Sequence, residues 1–340
     1  MNRARSFLSL LVLALGVSGV GCPCVNSAVN NDPALRWWLF SNFGASKVCP
    51  EMMKRGVPLK LTLLGPDNIG RFFPAQCVVH VDDNARTMRL DVTGQGYVVL
   101  PVTKRVGFYA GVAVEFTPDF HLTDDAVYVW GKFKQIDGIP DLRLLGVENP
   151  VVSLATQTPL GNLATVLGQG VLQSQLAQGF TVVQADDGQD FTLGILQPPA
   201  KPKRVFQGGS DRVVLESGVT DLHAVSRDYL GPFAIDQSSA ALFMHVSANG
   251  PVNYAIVTRD VGDAWRQPYQ AAQPIGPAPA QPLSYGQLAA GDQTMKFPLD
   301  PGSYYFVVEN LNPAQPAILG VSSPFEPVTQ LTYSAELGER

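Results

Sequence analysis

Charged residues are scarce in this 340-residue sequence, and their scarcity narrows the functions to consider. Asp, Glu, Lys and Arg make up 16% of the chain, against a usual share of about a quarter, whereas hydrophobic residues make up 46%. The net charge is −5, and no block of Lys or Arg occurs. Because nucleic-acid binders carry a clustered positive patch, we expect no nucleic-acid partner. The composition instead indicates a globular chain with a substantial core.

Motifs that would identify an enzyme are missing as well. The chain contains no GxSxG nucleophile elbow, no HExxH metal motif, no P-loop and no dinucleotide-binding glycine fingerprint after a strand. Two of the four histidines, His223 and His245, fall in apolar, strand-like runs that favour a structural role. We therefore predict that the protein is not an enzyme. The alternative is a catalytic site that folding assembles from distant Ser, His and acidic residues.

The beginning of the chain predicts export. Arg3 and Arg5 give a positive start, residues 7–15 form an uncharged apolar run, and a small-residue segment leads to Cys22. This order is typical of a secretory signal peptide, here residues 1–21. The apolar run is too short to cross a membrane, which takes about 20 apolar residues.

The end of this signal resembles the lipobox of bacterial lipoproteins, through Gly19, Val20, Gly21 and Cys22. In that family the cysteine becomes the mature N-terminus and carries the lipid. The resemblance therefore implies that acylated Cys22 anchors the protein to a lipid membrane of the bacterial cell envelope, in the periplasm or at the outer membrane. The alternative is ordinary cleavage near Gly19, which leaves Cys22 as a plain thiol or a disulfide partner.

The other cysteines predict one disulfide bond. Cys49 and Cys77 lie in sequence with the pattern of a folded domain, and export exposes them to an oxidising compartment, so we pair them. Cys24 lies in the polar, turn-prone residues 22–33, which we interpret as a flexible tether. No Cys and His cluster has the spacing of zinc ligands, so we expect no metal and no other cofactor.

The 32 glycines and 27 prolines are spread along the chain and favour many short strands joined by turns. We predict a mainly β protein of two sandwich-like or barrel-like domains, residues 34–197 and 205–340. A Pro-rich linker at 198–204 separates them. In the first domain, one amphipathic helix near 159–178 is expected to pack on the strands, because its apolar residues recur with helical spacing.

Period-two alternation predicts the strands themselves. In the first domain they are 57–64, 77–81, 87–92, 96–100, 107–116, 126–133 and a hairpin of 180–184 with 191–196. In the second domain they are 213–216, 222–225, 233–235, 241–246, 252–258, 296–299, 304–309 and 318–321. Turn residues separate them, notably at 65–70, 82–84, 93–96, 123–125 and 187–188.

Residues 34–53 concentrate large aromatic side chains, among them Trp37, Trp38, Phe40 and Phe43. They fit either a buried leading element tied to the body through Cys49 or a segment that lies in the membrane interface beside the lipid anchor. We favour the buried element, because large aromatic side chains usually lie in cores.

Acidic and aromatic residues offer two weaker candidate sites. Asp186, Asp187 and Asp190 surround Gly188 and form a weak Ca²⁺ candidate, although an Asp-Gly turn is expected there in any case. An aromatic face of Tyr304, Tyr305 and Phe306 with Trp265 and Tyr269 is a candidate for stacking on a glycan.

The second domain resembles the pre-peptidase C-terminal type of β-sandwich, through the stretches GPFAIDQSSAALFMHVSANGPVNYAIV and LDPGSYYFVVEN. Such domains are accessory, so the resemblance implies binding or a structural role. We predict a non-enzymatic cell-envelope lipoprotein with a structural, interaction or recognition role and an envelope protein or glycan as partner. The alternative is a secreted hydrolase or glycan-binding protein with an accessory C-terminal β-sandwich.

Overall fold

The computed structural model describes residues 23–60, 68–100, 104–148, 176–185, 188–200, 212–311 and 328–340. It confirms the mainly β architecture, with one eight-stranded sheet and two four-stranded sheets. The large sheet is built from residues before the Pro-rich segment and the two smaller sheets from residues after it. Within the described part of the chain, no helix is long and apolar enough to cross a membrane.

The large sheet is antiparallel throughout and forms the first body of the protein. Its strands are β1 (Val57–Lys60), β2 (Asn68–Asp82), β3 (Thr87–Leu100), β4 (Lys104–Leu122), β5 (Ala126–Ile136), β6 (Asp141–Val147), β7 (Phe180–Ala185) and β8 (Gly188–Leu193). The order is β1-β2-β3-β4-β5-β7-β8, and β6 also pairs with β4. Residues 106–111 of β4 pair with β6, and residues 114–122 pair with β5. The two strands therefore pair with successive halves of one long strand.

Helices at the start of the described chain cover one face of this sheet. They are α1 (Pro23–Asn31), α2 (Pro33–Leu39), a π-helical turn (Phe40–Gly44) and α3 (Ala45–Met53). Asp32 caps α2 by accepting hydrogen bonds from the backbone N–H groups of Ala34 and Leu35. Phe40 and Val48 are buried in a core shared with the strands. The burial of Phe40 favours the interpretation of residues 34–53 as a buried leading element.

The segment predicted to be a flexible tether is instead helical from Pro23 to Asn31. The side chain of Asn30 donates to the carbonyl of Leu122 at 2.7 Å and accepts from its N–H at 2.9 Å, which ties α1 to the end of β4. Val29 is buried in the core of the first body. A polar composition predicted solvent exposure, but buried Val29 and the amide of Asn30 dock this helix on the first body.

Several boundaries differ from the sequence prediction. Residues 93–96, predicted to be a turn, lie inside β3, because Gly94 lets two strands approach closely: a Cβ there would lie 2.2 Å from the carbonyl oxygen of Phe73. Residues 68–70, predicted to belong to a turn, are instead the first residues of β2, and the rest of that predicted turn lies outside the described residues. The predicted helix near 159–178 and the strand 318–321 fall almost wholly outside the described residues.

The second body is a β-sandwich of two four-stranded sheets. Its elements are β9 (Val213–Leu222), β10 (Ser226–Ile235), β11 (Ala240–Ala248), β12 (Val252–Thr258), α4 (Arg259–Gln270), β13 (Ser284–Leu288), β14 (Gly291–Phe297), β15 (Gly302–Asn310) and β16 (Thr329–Glu339). The strand orders are β10-β15-β12-β13 and β14-β11-β16-β9. Apolar side chains of both sheets form one core between them.

Three features of the second body were not predicted: α4, β13 and β16. The predicted strand at 222–225 is wrong, because β9 ends at Leu222 and the hydroxyl of Ser226 donates to the carbonyl of His223 at 2.8 Å, closing a tight turn.

The two bodies share a third, largely aromatic core. Phe73 and Tyr97 of the first body pack against side chains of the second, namely Tyr229, Ala255, Val257, Trp265, Tyr269, Tyr305 and Val307. The rings of Tyr97 and Tyr269 lie edge to face with centroids 4.8 Å apart. Such a core couples the two bodies, so the Pro-rich segment does not separate independent modules.

Candidate functional site

A buried ion pair joins the two bodies beside the shared aromatic core. Arg71 on β2 donates from Nε and Nη2 to the two carboxylate oxygens of Asp228 on β10, at 3.0 Å each. Arg71 is 1% exposed and Asp228 is 7% exposed. Two parallel hydrogen bonds between a guanidinium and a carboxylate make the strongest and most directional pair available to side chains.

Further groups complete the hydrogen bonding of this pair. Asp228 accepts from the hydroxyls of Tyr97 at 2.5 Å and Thr220 at 2.7 Å. Arg71 also donates to the carbonyl of Gly56 at 2.7 Å and lies 3.4 Å from the Glu216 carboxylate. The hydroxyl of Tyr333 donates to Glu216 at 2.5 Å. We call these residues, Arg71, Tyr97, Glu216, Thr220, Asp228 and Tyr333, the junction network.

The junction network fixes the charge state of its members. Burial disfavours the charged carboxylate of Asp228, but the positive charge of Arg71 and the hydrogen bonds it receives outweigh burial and lower its pKa below the ordinary value. Burial and the nearby Asp228 charge raise the pKa of Tyr97, and burial and Glu216 raise that of Tyr333. Desolvation alone would lower the pKa of Arg71, but the nearby acidic groups, first of all Asp228, outweigh it and raise that pKa. At neutral pH the network therefore holds an ionised Arg71–Asp228 pair and neutral tyrosines.

Arg105 of β4 makes a second contact between the bodies. Its guanidinium lies 4.0 Å from the ring centroid of Tyr269 and donates to the carbonyl of Gln273 at 2.5 Å. The end of α4 is thereby fixed to the first sheet. Gly107 makes room for this approach, because a Cβ there would lie 1.3 Å from the carbonyl oxygen of Gln270.

A cleft of about 290 Å³ opens where the two bodies meet. Its first-body walls come from α3, β2, β3 and β4, and its second-body walls come from the β10 bend, α4 and β15. The lining residues are Met53, Arg55, Phe73, Pro74, Ala75, Gly94, Gln95, Tyr109, Pro232, Arg259, Asp263, Arg266 and Tyr305. Phe73 and Tyr305 belong also to the shared aromatic core, so the cleft has a rigid floor. Clefts at domain junctions are common ligand sites.

The predicted disulfide is confirmed. Cys49 and Cys77 are bonded, with Cα atoms 5.5 Å apart, and they link α3 to β2. Cys24 lies in α1. Cys22, the predicted lipidation site, lies outside the described residues.

The weak Ca²⁺ candidate lies mostly outside the described residues. Asp186 and Asp187 lie outside the described residues, and Asp190 is in β8, directly opposite Val183 of β7. The hairpin predicted at this place is present: Phe180–Ala185 of β7 pairs antiparallel with Gly188–Leu193 of β8. Among the described residues, no group of three or more His, Cys, Asp or Glu side chains is placed to hold a metal ion.

The aromatic face predicted for glycan stacking is wrong. Trp265, Tyr269 and Tyr305 are buried in the shared core between the two bodies, and Tyr304 and Phe306 belong to the core of the sandwich. Alternation along β15 sends its aromatic side chains to two different cores, so none of them forms an exposed platform.

One histidine meets both a hydroxyl and a carboxylate. Nδ1 of His245 lies 3.0 Å from the Thr294 hydroxyl, and Nε2 lies 3.2 Å from Glu336 and 3.0 Å from a nitrogen of Arg212. Nε2 thus lies between a guanidinium, which only donates, and a carboxylate, which only accepts.

The surroundings of His245 are also those of a structural group. Thr294 and His245 are directly opposed on paired strands β14 and β11, which brings their side chains together as neighbours on one face. None of these side chains lines the cleft between the bodies.

No protein-family model matches the sequence, and a search of the curated proteins finds no match.

The sequence analysis did not identify the junction network or the cleft. One signal was present: Arg71 is the single charge in the apolar strand sequence IGRFF, and Asp228, next to Arg227, leads into the apolar sequence YLGPF. A buried charge needs a partner. Their pairing could not be inferred, because 157 residues separate them.

Proposed function

We propose that this protein is a non-enzymatic lipoprotein of the bacterial cell envelope that is held at the membrane by acylated Cys22 and acts in recognition. The lipobox-like sequence before Cys22 supports the anchor. The recognition role is supported by one structural observation: the aromatic core and the junction network fix two β-rich bodies against each other and leave a cleft of defined shape between them.

A fixed cleft favours binding because its walls do not have to be ordered when a ligand enters. A ligand that binds preorganised groups avoids much of the entropy cost of association. Hydrogen bonds of the junction network and of Arg105 hold these walls from both sides. The partner is an envelope protein or glycan that presents a small group to the cleft.

Intact mass of the mature protein tests the anchor. The protein is expressed in a bacterial host, and its membrane and soluble fractions are analysed separately. We expect a chain that begins at Cys22 and carries acyl groups, found in the membrane fraction. The matched variant Cys22→Ser should lose the acyl mass and move to the soluble exported fraction. An unmodified wild-type chain in the soluble fraction would refute the anchor.

The alternative is a secreted hydrolase, and the contact of His245 with Thr294 and Glu336 is the observation that favours it. It predicts turnover of chromogenic ester or glycoside substrates that is lost in both His245→Gln and Thr294→Val. We expect no turnover by the wild-type protein, because Arg212 and Glu336 both contact Nε2 of His245 and none of these side chains lines the cleft. Turnover that depends on both residues would replace the proposed role with the alternative.

A further inference from the structure

The cleft between the two bodies is positively charged in a protein that is negative overall. Three arginines and one aspartate line it, whereas the whole chain has a net charge of −5. Low-dielectric walls focus the field of such a cluster, so an anion is attracted to the cleft although the protein as a whole repels it.

Asp263 of α4 organises two of the arginines. Arg266 donates to its Oδ1 at 2.7 Å, and Nε of Arg259 lies 3.6 Å from its Oδ2. The hydroxyl of Tyr305 also donates to Oδ1 at 2.7 Å. One carboxylate thus positions two guanidinium groups but neutralises only one of them, and Arg55 of the first body also lines the cleft.

Arg266 is held in a fixed position and retains donor capacity. Its guanidinium stacks on the ring of Phe73, 3.8 Å from the centroid. Its Nε is buried and has no hydrogen-bond partner among the described residues. A stacked guanidinium loses little entropy when it binds an oxyanion, and its planar fork matches a carboxylate or a phosphate.

We propose that this cleft binds a small anionic ligand, a carboxylate or a phosphate monoester on a body the size of one sugar ring. The volume of about 290 Å³ lies at the lower end of the range for ligand pockets, which excludes a large ligand. Arg259 and Arg266 bind the anionic group. Apolar surfaces of Pro74 and Pro232 pack against the ring that bears it.

Calorimetric titration of the full mature protein with three matched sugars tests this proposal. Glucuronate carries a carboxylate, glucose 6-phosphate carries a phosphate, and glucose is the neutral control. At low ionic strength we expect at least one anion to bind about tenfold or more tightly than glucose, and its affinity to fall as salt is added. The sugar that binds more tightly shows whether the cleft prefers a carboxylate or a phosphate.

Three variants locate the binding. Arg259→Gln, at a side chain that is 57% exposed, should fold normally and weaken anion binding several-fold. Arg266→Lys keeps the charge but removes the fork, and it should also weaken binding. Arg89→Gln is the matched control: it removes an arginine on β3 roughly 17 Å along the strand from Gly94, and binding should not change.

Equal affinity for glucuronate, glucose 6-phosphate and glucose would overturn the proposal. So would equal losses in Arg259→Gln and Arg89→Gln. The inference rests on the recognition role proposed above, but the two fail separately. A lipidated protein that does not bind anions would support the anchor and refute the anionic ligand. An unmodified secreted chain that binds anions would support the ligand and refute the anchor.

Discussion

Arg71 and Asp228 are 157 residues apart in the chain and yet form a doubly hydrogen-bonded pair that is almost completely buried. The pair lies between the two bodies, next to the edge-to-face rings of Tyr97 and Tyr269. A buried ion pair is costly to form but far more costly to break, because its remaining member is left as an uncompensated charge. The pair therefore specifies how the two bodies dock.

Arg71→Met should strongly destabilise the protein. Asp228 and Glu216 would then be buried without their cation, and we expect a loss of about 3–5 kcal/mol in the free energy of unfolding, measured with urea. Arg143→Met is the control, because Arg143 pairs with Asp141 at the surface, with 71% of its side chain exposed. Similar losses in both variants would show that the junction network contributes no more than a surface pair.

Acidification should lower the free energy of unfolding, because Asp228 becomes protonated. Its pKa is lower in the folded chain than the value of about 3.9 in an unfolded one, so its contribution to stability is complete above about pH 4 and is lost as the pH falls further. The free energy of unfolding should drop over that range in the wild-type protein. Asp228→Asn should start less stable and lose less on acidification. Parallel pH profiles of the two proteins would contradict this assignment.

Gly107→Ala should disrupt the docking of the two bodies. The added methyl group would lie 1.3 Å from the carbonyl oxygen of Gln270, so β4 and the end of α4 would have to move apart. We expect a lower melting temperature and faster hydrogen exchange at the amides of α4 and the adjacent strands. Gly276→Ala is the matched control, since a Cβ at Gly276 has no atom within 4 Å. If both variants melt alike, the close approach at Gly107 is not needed.

Removal of the disulfide should destabilise the first body. The Cys49–Cys77 bond closes a separation of 28 residues, for which the chain-entropy model gives about 3–4 kcal/mol. Cys49→Ser combined with Cys77→Ser should show this loss in urea denaturation, and added reductant should have no further effect on the double variant. A wild-type protein that is equally stable with and without reductant would refute this expectation.

Local patterns in the sequence predicted much of the fold. Alternation located most strands, and strand 252–258 coincides with β12. The predicted export to an oxidising compartment and the folded pattern around both cysteines identified the Cys49–Cys77 bond. The strands depend on residues that are neighbours in the sequence, and the disulfide bond depends on a single pair of cysteines. Both can therefore be inferred from one sequence.

Features that depend on distant contacts were missed. Helix α4 begins with Arg259, contains Pro268 and has few aliphatic residues, so its apolar stripe is carried by Trp265 and Tyr269, which pack on the other body. Gly94 was predicted to lie in a turn because glycine is frequent there. It lies in a strand instead, at a point where the backbone of Phe73 on the neighbouring strand leaves no room for a side chain. The cleft arginines could not be grouped from the sequence, because only folding brings Arg55 of the first body and Arg266 of α4 to one cleft.

Helix α1 has a consequence for how far the protein could stand from a membrane. Nine residues in an extended chain span about 30 Å, whereas the nine residues of α1 rise only about 13 Å, and Asn30 fastens the helix to β4. If Cys22 carries acyl groups, the residue that follows it already belongs to the helix. The protein would then sit against the lipid headgroups with a restricted orientation, and only molecules that come to the membrane surface would be within its reach.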